Sequence, residues 1–258
     1  FFNAPSFREH FNESQAKVIT SIAMFYDLED PNKFVSDIKS ILEKGGLWIN
    51  QMNYLGTMLE YNAFDNISHE HLEYYSLSSL QYLLHRHNLE VFDVELNDLN
   101  GGSIRAYIAH KGTHQISPKV AEIQETEKHL NSHESYELFV DRITAIRDSL
   151  INFIDAEIAE GKSIYVYGAS TRGNTLLQYF NLDNKRIIAA AERNPVKWGK
   201  KMIGTNIPII SEEDARNANP DYFLVLPWAF INEFELREKN FLENGGKFIV
   251  PLPDFKLI

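Results

Sequence analysis

Ser163-Ile164-Tyr165-Val166-Tyr167-Gly168-Ala169-Ser170-Thr171-Arg172-Gly173-Asn174 is the stretch that decides how this chain folds. Ser163 to Tyr167 suits a strand buried on both faces, Gly168 to Asn174 is a loop of small residues, and Thr175 to Phe180 continues as a helix. Strand, glycine loop and helix together make the repeating unit of a parallel sheet, and the loop and helix N-terminus can aim backbone N–H groups at a phosphate. The spacing is not G-x-G-x-x-G, and no Lys-Ser/Thr pair closes a Walker loop. As the lesser alternative, Gly168 and Gly173 merely allow tight strand-to-helix packing with Arg172 turned to solvent. The loop alone leaves both readings open.

Toward the C-terminus, Ile187 to Ala191 reads as the next strand. It runs into Glu192-Arg193-Asn194-Pro195, where an acid can take a ribose hydroxyl and a base a phosphate. Pro208 to Ile210 begins another element, Asp221 to Leu226 is a buried strand ending in Pro227-Trp228, and Lys247 to Val250 closes the sheet. Toward the N-terminus, Pro118 to Glu160 has almost no Gly or Pro. It carries Leu138, Ile143, Ile146, Leu150, Ile154 and Ile158 at helical spacing, which predicts two helices bridging domains, with their charges on solvated faces.

A second strand-and-helix unit precedes the bridge. Phe1 to Gln15 reads as an irregular lead-in, and Ala16 to Tyr26 as a strand buried on both faces. Asp30-Pro31 opens a helix through Phe34, Val35, Ile38, Ile41 and Leu42 that Gly45-Gly46 stops. Leu47 to Asn53 is a strand, Tyr54 to Glu60 a short helix, Ser78 to Asn88 a serine-capped helix and Leu89 to Leu96 a strand. Asn100-Gly101-Gly102-Ser103 then turns the chain into an antiparallel strand over Ile104 to Ala109.

Between these elements lies Ile67-Ser68-His69-Glu70-His71-Leu72-Glu73-Tyr74-Tyr75-Ser76, the densest titratable chemistry in the chain. Histidine changes charge near neutral pH and a neighbouring carboxylate can orient it, so His-Glu-His suits proton abstraction. Zinc fits poorly, because His69 and His71 share a side of a strand but not of a helix, no cysteine completes a set, and H-E-x-x-H is absent. An inert, hydrogen-bonded polar loop explains the spacing as well as a proton-transfer centre does.

The 258 residues suffice for two ordinary domains, and a net charge of −11 argues against a nucleic-acid binder, which needs a basic face. No cysteine is present, so disulfides and thiolate metal sites are excluded. No apolar run approaches the roughly 20 residues that span a bilayer and no leader pattern opens the chain, so a soluble cytoplasmic protein is expected.

Taken in order, YDLEDP, KGG, NYLGTMLEYNAFDNISHEHLEYYS, NGGSIRAY, YGASTRGNT, ERNP and LPWAF resemble the S-adenosylmethionine-dependent C-methyltransferases of nucleotide-linked 4-keto-deoxysugars. The resemblance implies a zinc-binding segment, a methyltransferase domain and a C-terminal α/β domain that helps to hold a nucleotide-diphosphate sugar. The expected fold is therefore α/β: the C-terminal half of a Rossmann-like methyltransferase sheet over 1–112, a helical bridge over 113–160 and a second Rossmann-like domain over 161–258. The front departs from the family pattern, having no cysteine and no glycine before Gly45. The main S-adenosylmethionine loop and the zinc segment are thus expected only in a missing N-terminal portion, and the chain reads as a fragment or a natural truncation.

By the same resemblance His71 is the base that forms an enolate, Glu70 helps it, and His69 and Tyr74 are further catalytic candidates. Asn100, Gly101, Gly102 and Arg105 match the family's Gly-Gly-x-x-Arg turn near the sugar. Gly168, Ala169, Ser170, Thr171, Arg172, Gly173, Asn174, Glu192, Arg193, Asn194 and Trp228 map onto the nucleotide face. A non-catalytic module that binds a nucleotide-sugar is the alternative, and a dehydrogenase built on the second unit is weaker because the loop lacks the required glycine spacing.

Overall fold

A computed structural model describes residues 2–258. The chain divides into two compact units, one comprising residues up to Met58 with His69–Ser135, the other Leu59–Ser68 with Tyr136–Ile258. Both are α/β.

The first unit opens with α1 (Ala4–Phe11), where an irregular lead-in is expected from sequence. Asn3 accepts a bond from Ser6 N–H at 2.8 Å and Pro5 stands in the first turn, so the cap outweighs the missing apolar period. Then come β1 (Ala16–Ile22), α2 (Pro31–Ile41), β2 (Leu42–Asn53) and α3 (Leu55–Glu60), which runs on into the second unit. The sequence continues with α4 (Leu77–His85), β3 (Leu89–Asn97), β4 (Ser103–His110) and α5 (Pro118–Thr126). The sheet order is β1-β2-β4-β3, with β1 parallel to β2 and β4 antiparallel to both its neighbours.

Two further local expectations fail. The β-branched run of β1 forms a strand, but an edge strand whose Val18 and Ile22 are exposed rather than one buried on both faces. Helix α2 ends at Ile41, before the glycine pair, and β2 already runs through Gly45-Gly46. The register slips there from Ala16↔Leu42 to Val18↔Leu47, and a Cβ on Gly46 would lie 3.0 Å from the Ala16 carbonyl, so the glycines serve a bulge instead of a helix stop.

Alternation along β2 and β4 points Trp48, Met52, Ile104 and Ile108 into a core completed by Phe25, Leu77, Leu80 and Val91. Trp48 Nε1 donates to Ser21 Oγ, which donates to Asn50 Oδ1, both at 2.8 Å, so the buried polar groups of this core are paired.

The long helix α6 (His133–Ala159) leads into the second unit. There follow β5 (Ile164–Tyr167), α7 (Thr171–Tyr179), β6 (Ala190–Glu192), β7 (Ile209–Ser211), α8 (Glu212–Asn217), β8 (Tyr222–Val225), α9 (Ile231–Arg237), α10 (Lys239–Glu243), β9 (Lys247–Val250) and β10 (Lys256–Leu257). The order is β10-β9-β8-β5-β6-β7, parallel from β9 to β7 with β10 antiparallel at the edge. Strands after β5 are added first on one side and then on the other, so the order reverses between β5 and β8. Open parallel sheets bind ligands outside the carboxyl ends of the strands at such a point.

Candidate active site

In the first unit the His-Glu-His stretch is neither helix nor strand. His69 and Glu70 form an exposed turn and His71 is half-buried. What fixes this irregular segment is the turn after β1. The Tyr26 carbonyl accepts bonds from Leu72 N–H at 2.9 Å and Glu73 N–H at 3.1 Å, and the His71 ring packs on the Tyr26 ring with centroids 4.5 Å apart. Asp27 stands in the same turn; burial raises its carboxyl above the usual range, His71 pulls it down and Glu70 pushes it up. His71 thus has an acidic side chain on each of two chain segments acting on its surroundings.

His71 and Tyr74 line one narrow cavity with Tyr26, Asn53 and Tyr54. Burial raises the Tyr74 hydroxyl, keeping it a proton donor at neutral pH. Tyr54 is anchored from behind, its hydroxyl donating to Glu127 at 2.9 Å. The buried Glu127 carboxylate also accepts from the Leu77 and Ser78 amides and the Ser78 hydroxyl, so it caps α4 and braces the cavity wall together.

The predicted sugar-site turn lies at the start of β4. Asn100, Gly101 and Gly102 all have positive φ, and a Cβ on Gly102 would fall 2.4 Å from Thr57 Oγ1, so the turn admits only glycine there. Arg105 is already engaged along the sheet, donating to Gln51 Oε1 at 2.8 Å and Glu95 Oε2 at 3.3 Å.

In the second unit the Gly168 loop lies at the carboxyl end of β5 beside the reversal point. Gly168, at φ +88°, passes so close to Pro227 that a Cβ would lie 2.9 Å from it. Ser170 caps α7 by accepting from Gly173 N–H at 3.1 Å, which starts the helix at Thr171, four residues earlier than its apolar residues suggest. Gly173 lets α7 press on Leu226, and Asn174 Oδ1 is buried with no hydrogen bond among the described residues.

Arg172 does not turn to solvent. Its Nη2 lies 2.8 Å from Asp65 Oδ2 and its Nε donates to the same oxygen at 3.0 Å, while the buried Trp228 donates from Nε1 at 3.2 Å. Asp65 is 2% exposed, its Oδ1 accepts no bond among the described residues, and burial raises its carboxyl above the usual range against the pull of Arg172 and Trp228. Glu192 is likewise occupied, accepting from Ala169 N–H at 3.1 Å, Asn194 N–H at 2.9 Å and Lys197 Nζ at 3.3 Å. Burial would raise Glu192, but those two amides and Lys197 together hold it below the usual range. Arg193 and Asn194 are exposed, and Asn194 caps the next turn by accepting from Val196 N–H.

The sequence reading thus missed Tyr26, Asp27, Asp65, Glu127 and Lys197. Spacing gave no signal for the first four, which meet their partners through the fold, while Lys197 lies just beyond the Glu192–Pro195 motif, five residues after Glu192. Among the described residues no three His, Asp or Glu side chains gather to hold a metal ion, and no helix is long and apolar enough to cross a membrane.

Comparison with known proteins gives two family matches, a C-methyltransferase C-terminal domain over residues 98–253 and a methyltransferase domain over residues 3–94. C-methyltransferase NovU of Streptomyces niveus is 35% identical over 246 residues, 94% of this chain and 59% of that protein. The chain therefore spans about three fifths of the length of this relative. Among solved structures, an S-adenosylmethionine-dependent methyltransferase from Clostridium acetobutylicum is 11% identical at a TM-score of 0.29, covering 38% of this chain and 60% of its own. An O-methyltransferase family protein from Burkholderia thailandensis is 12% identical at a TM-score of 0.28, covering 40% of this chain and 33% of its own.

Proposed function

The chain belongs to the S-adenosylmethionine-dependent C-methyltransferase family, and from that premise we propose that it takes part in C-methylation of a nucleotide-linked 4-keto-deoxysugar, with His71 as the base. In this reading 1–112 is the C-terminal part of the methyltransferase domain, 113–160 the helical bridge and 161–258 the domain that holds the nucleotide-sugar. The observation that carries it is the mounting of His71, its ring packed at a tilt of 59° against Tyr26 with the following amides tied to the Tyr26 carbonyl. A base fixed at one orientation is what proton transfer from carbon demands.

His71 removes the proton from the carbon beside the keto group. The C–H electron pair moves into the enolate, and negative charge gathers on the carbonyl oxygen. Tyr74, protonated and lining the same cavity, is suited to donate to that oxygen, while Asp27, which interacts electrostatically with His71, attracts the imidazolium that forms and Glu70 stands beside it in the chain. His69 is a weaker candidate, being exposed in the turn. When bound, S-adenosylmethionine supplies the methyl group that the nucleophilic carbon takes. No glycine stands in residues 2–44, so the opening strand-and-helix stretch of the first unit holds no glycine loop for that cofactor, and no step toward it is assigned to these residues. In the second unit, the loop Gly168 to Asn174 with Glu192, Arg193, Asn194 and Trp228 is the proposed nucleotide-sugar face, since it lies at the reversal point of the parallel sheet.

Methyl transfer from labelled S-adenosylmethionine to a nucleoside-diphosphate 4-keto-deoxysugar, compared with its 4-hydroxy counterpart, tests the reading. Only the ketone acidifies the neighbouring C–H, so only the ketone should be methylated. Equal transfer to both would contradict the enolate, and tight sugar-nucleotide binding with no transfer would favour the non-catalytic alternative.

A further inference from the structure

At the opposite end of the first unit's sheet from His71, where β2 begins and β4 ends, is an open cavity of about 660 Å³. Its position follows from antiparallel pairing: Asn53 and Ser103 mark the end nearest Tyr54, whereas Leu42 and His110 mark the far end, roughly 30 Å along the strand. Three lysines from three elements converge on it, Lys39 from the last turn of α2, Lys44 from the β2 bulge and Lys111 from the turn after β4. No carboxylate is among its lining residues. The nearby Glu90 is spent on the Gly112 amide, with its Oε1 2.6 Å from that nitrogen.

Several lysines of the chain are held in ion pairs, as at Lys33–Asp37, Lys162–Asp221 and Lys197–Glu192, whereas Lys39, Lys44 and Lys111 line the cavity. In a protein of net charge −11, three lysines thus line one hollow, and among the described residues no carboxylate lies within 4 Å of their ammonium groups. A fourth cation, Arg8, reaches the carbonyl of the lining residue Ser40 at 3.3 Å. His110 is fixed in the wall, its Nε2–H donating to the Leu42 carbonyl at 3.0 Å, and the Asn88 side chain adds amide donors. The volume lies in the range of small-ligand sites, and compact ammonium charges suit phosphate oxygens arriving at varied angles.

We infer that this cavity is an anion site for a diphosphate-bearing small molecule, separate from the His71 cavity and from the Gly168 loop. Lysines on separate elements supply the charge, and the amides of Asn88 and Gln15 supply neutral contacts. Its occupant is either a free diphosphate or a nucleoside diphosphate.

Isothermal titration of the full chain with inorganic pyrophosphate and with uridine diphosphate tests the inference. It is run in an Arg172→Ala, Arg193→Ala background so that the second unit's loop cannot account for the heat. One anion per chain should bind, and adding Lys39→Gln, Lys44→Gln and Lys111→Gln should weaken binding at least tenfold while leaving the melting temperature of that background unchanged. Equal affinity for both anions assigns the site to free diphosphate; tighter uridine diphosphate assigns it to a nucleotide. No binding in the arginine background, or affinity unaffected by the lysine substitutions, overturns it.

Discussion

Arg172 and Asp65, 107 residues apart in sequence, form a salt bridge at 2.8 Å in which the carboxylate is buried. The pair joins the first helical turn after the Gly168 loop to the segment Leu59–Ser68, which the chain lends from between α3 and the His-Glu-His stretch. Phe64 in that segment packs at a tilt against Tyr179 and Phe180, at 5.1 and 5.0 Å between centroids, and Asn62 Nδ2 donates to the Pro253 carbonyl at 2.9 Å. The loop is therefore backed by packing as well as charge.

Removing the arginine should destabilise the chain, because Arg172 holds a buried carboxylate instead of turning to solvent. Arg172→Ala strands a buried carboxylate, which costs about 1–3 kcal/mol when the lost partner is itself partly exposed. The double variant Arg172→Ala, Asp65→Asn should be more stable than the single one, because the stranded charge is gone. Urea unfolding of the three proteins checks this, and equal stability of wild type and Arg172→Ala would refute it.

Two glycines should respond oppositely to alanine. Gly102 has φ +113°, and an alanine Cβ there would sit 2.4 Å from Thr57 Oγ1, so the variant should lose about 2–4 kcal/mol from strain and collision. Gly45 meets nothing within 4 Å, so its alanine variant should stay within about 0.5 kcal/mol of wild type. Thermal unfolding of the two variants side by side is the measurement.

Glu238 gives the second unit an acid-sensitive anchor. Burial would raise its carboxyl, but Arg216, donating from Nε at 2.8 Å, and Tyr167, donating from its hydroxyl at 2.7 Å, together hold it below the ordinary 4.5. A carboxyl with a depressed folded value contributes stability that is present above pH 4.5 and is lost as pH falls through the folded value. The melting-temperature gap between wild type and Glu238→Gln should therefore be largest from pH 6 to 8 and narrow below pH 4.5. A gap that widened on acidification would show the sign to be wrong.

Elements with a local cause were legible in the sequence. Asp30 caps α2, accepting from Lys33 N–H at 2.9 Å, and α4 is serine-capped as expected, although the cap is Ser76 and the helix runs over Leu77–His85 rather than Ser78 to Asn88, because caps and apolar spacing act within a few residues. The parallel second sheet and the two helices after Pro118 follow from the same kind of signal, and the C-methyltransferase resemblance holds. Edge or centre, by contrast, is a property of neighbours: β1 carries the composition of a buried strand yet leaves Ile22 exposed. At the site, His71 and Tyr74 stood out by type, while Tyr26, Asp27 and Asp65 did not. Tyr26 meets His71 across a connection of more than 40 residues, and no periodicity encodes that.

Exchange of the substrate's carbon-bound proton with solvent tests the central role of His71 most directly, since it reads proton abstraction alone. The full-length enzyme is incubated in D₂O with a nucleoside-diphosphate 4-keto-deoxysugar, and loss of the proton signal beside the carbonyl is followed by NMR. Wild type should catalyse the exchange, and His71→Ala should slow it by about 10²- to 10⁴-fold while binding the sugar nucleotide with unchanged affinity. Exchange by His71→Ala at the wild-type rate would contradict the assignment of His71 as the base.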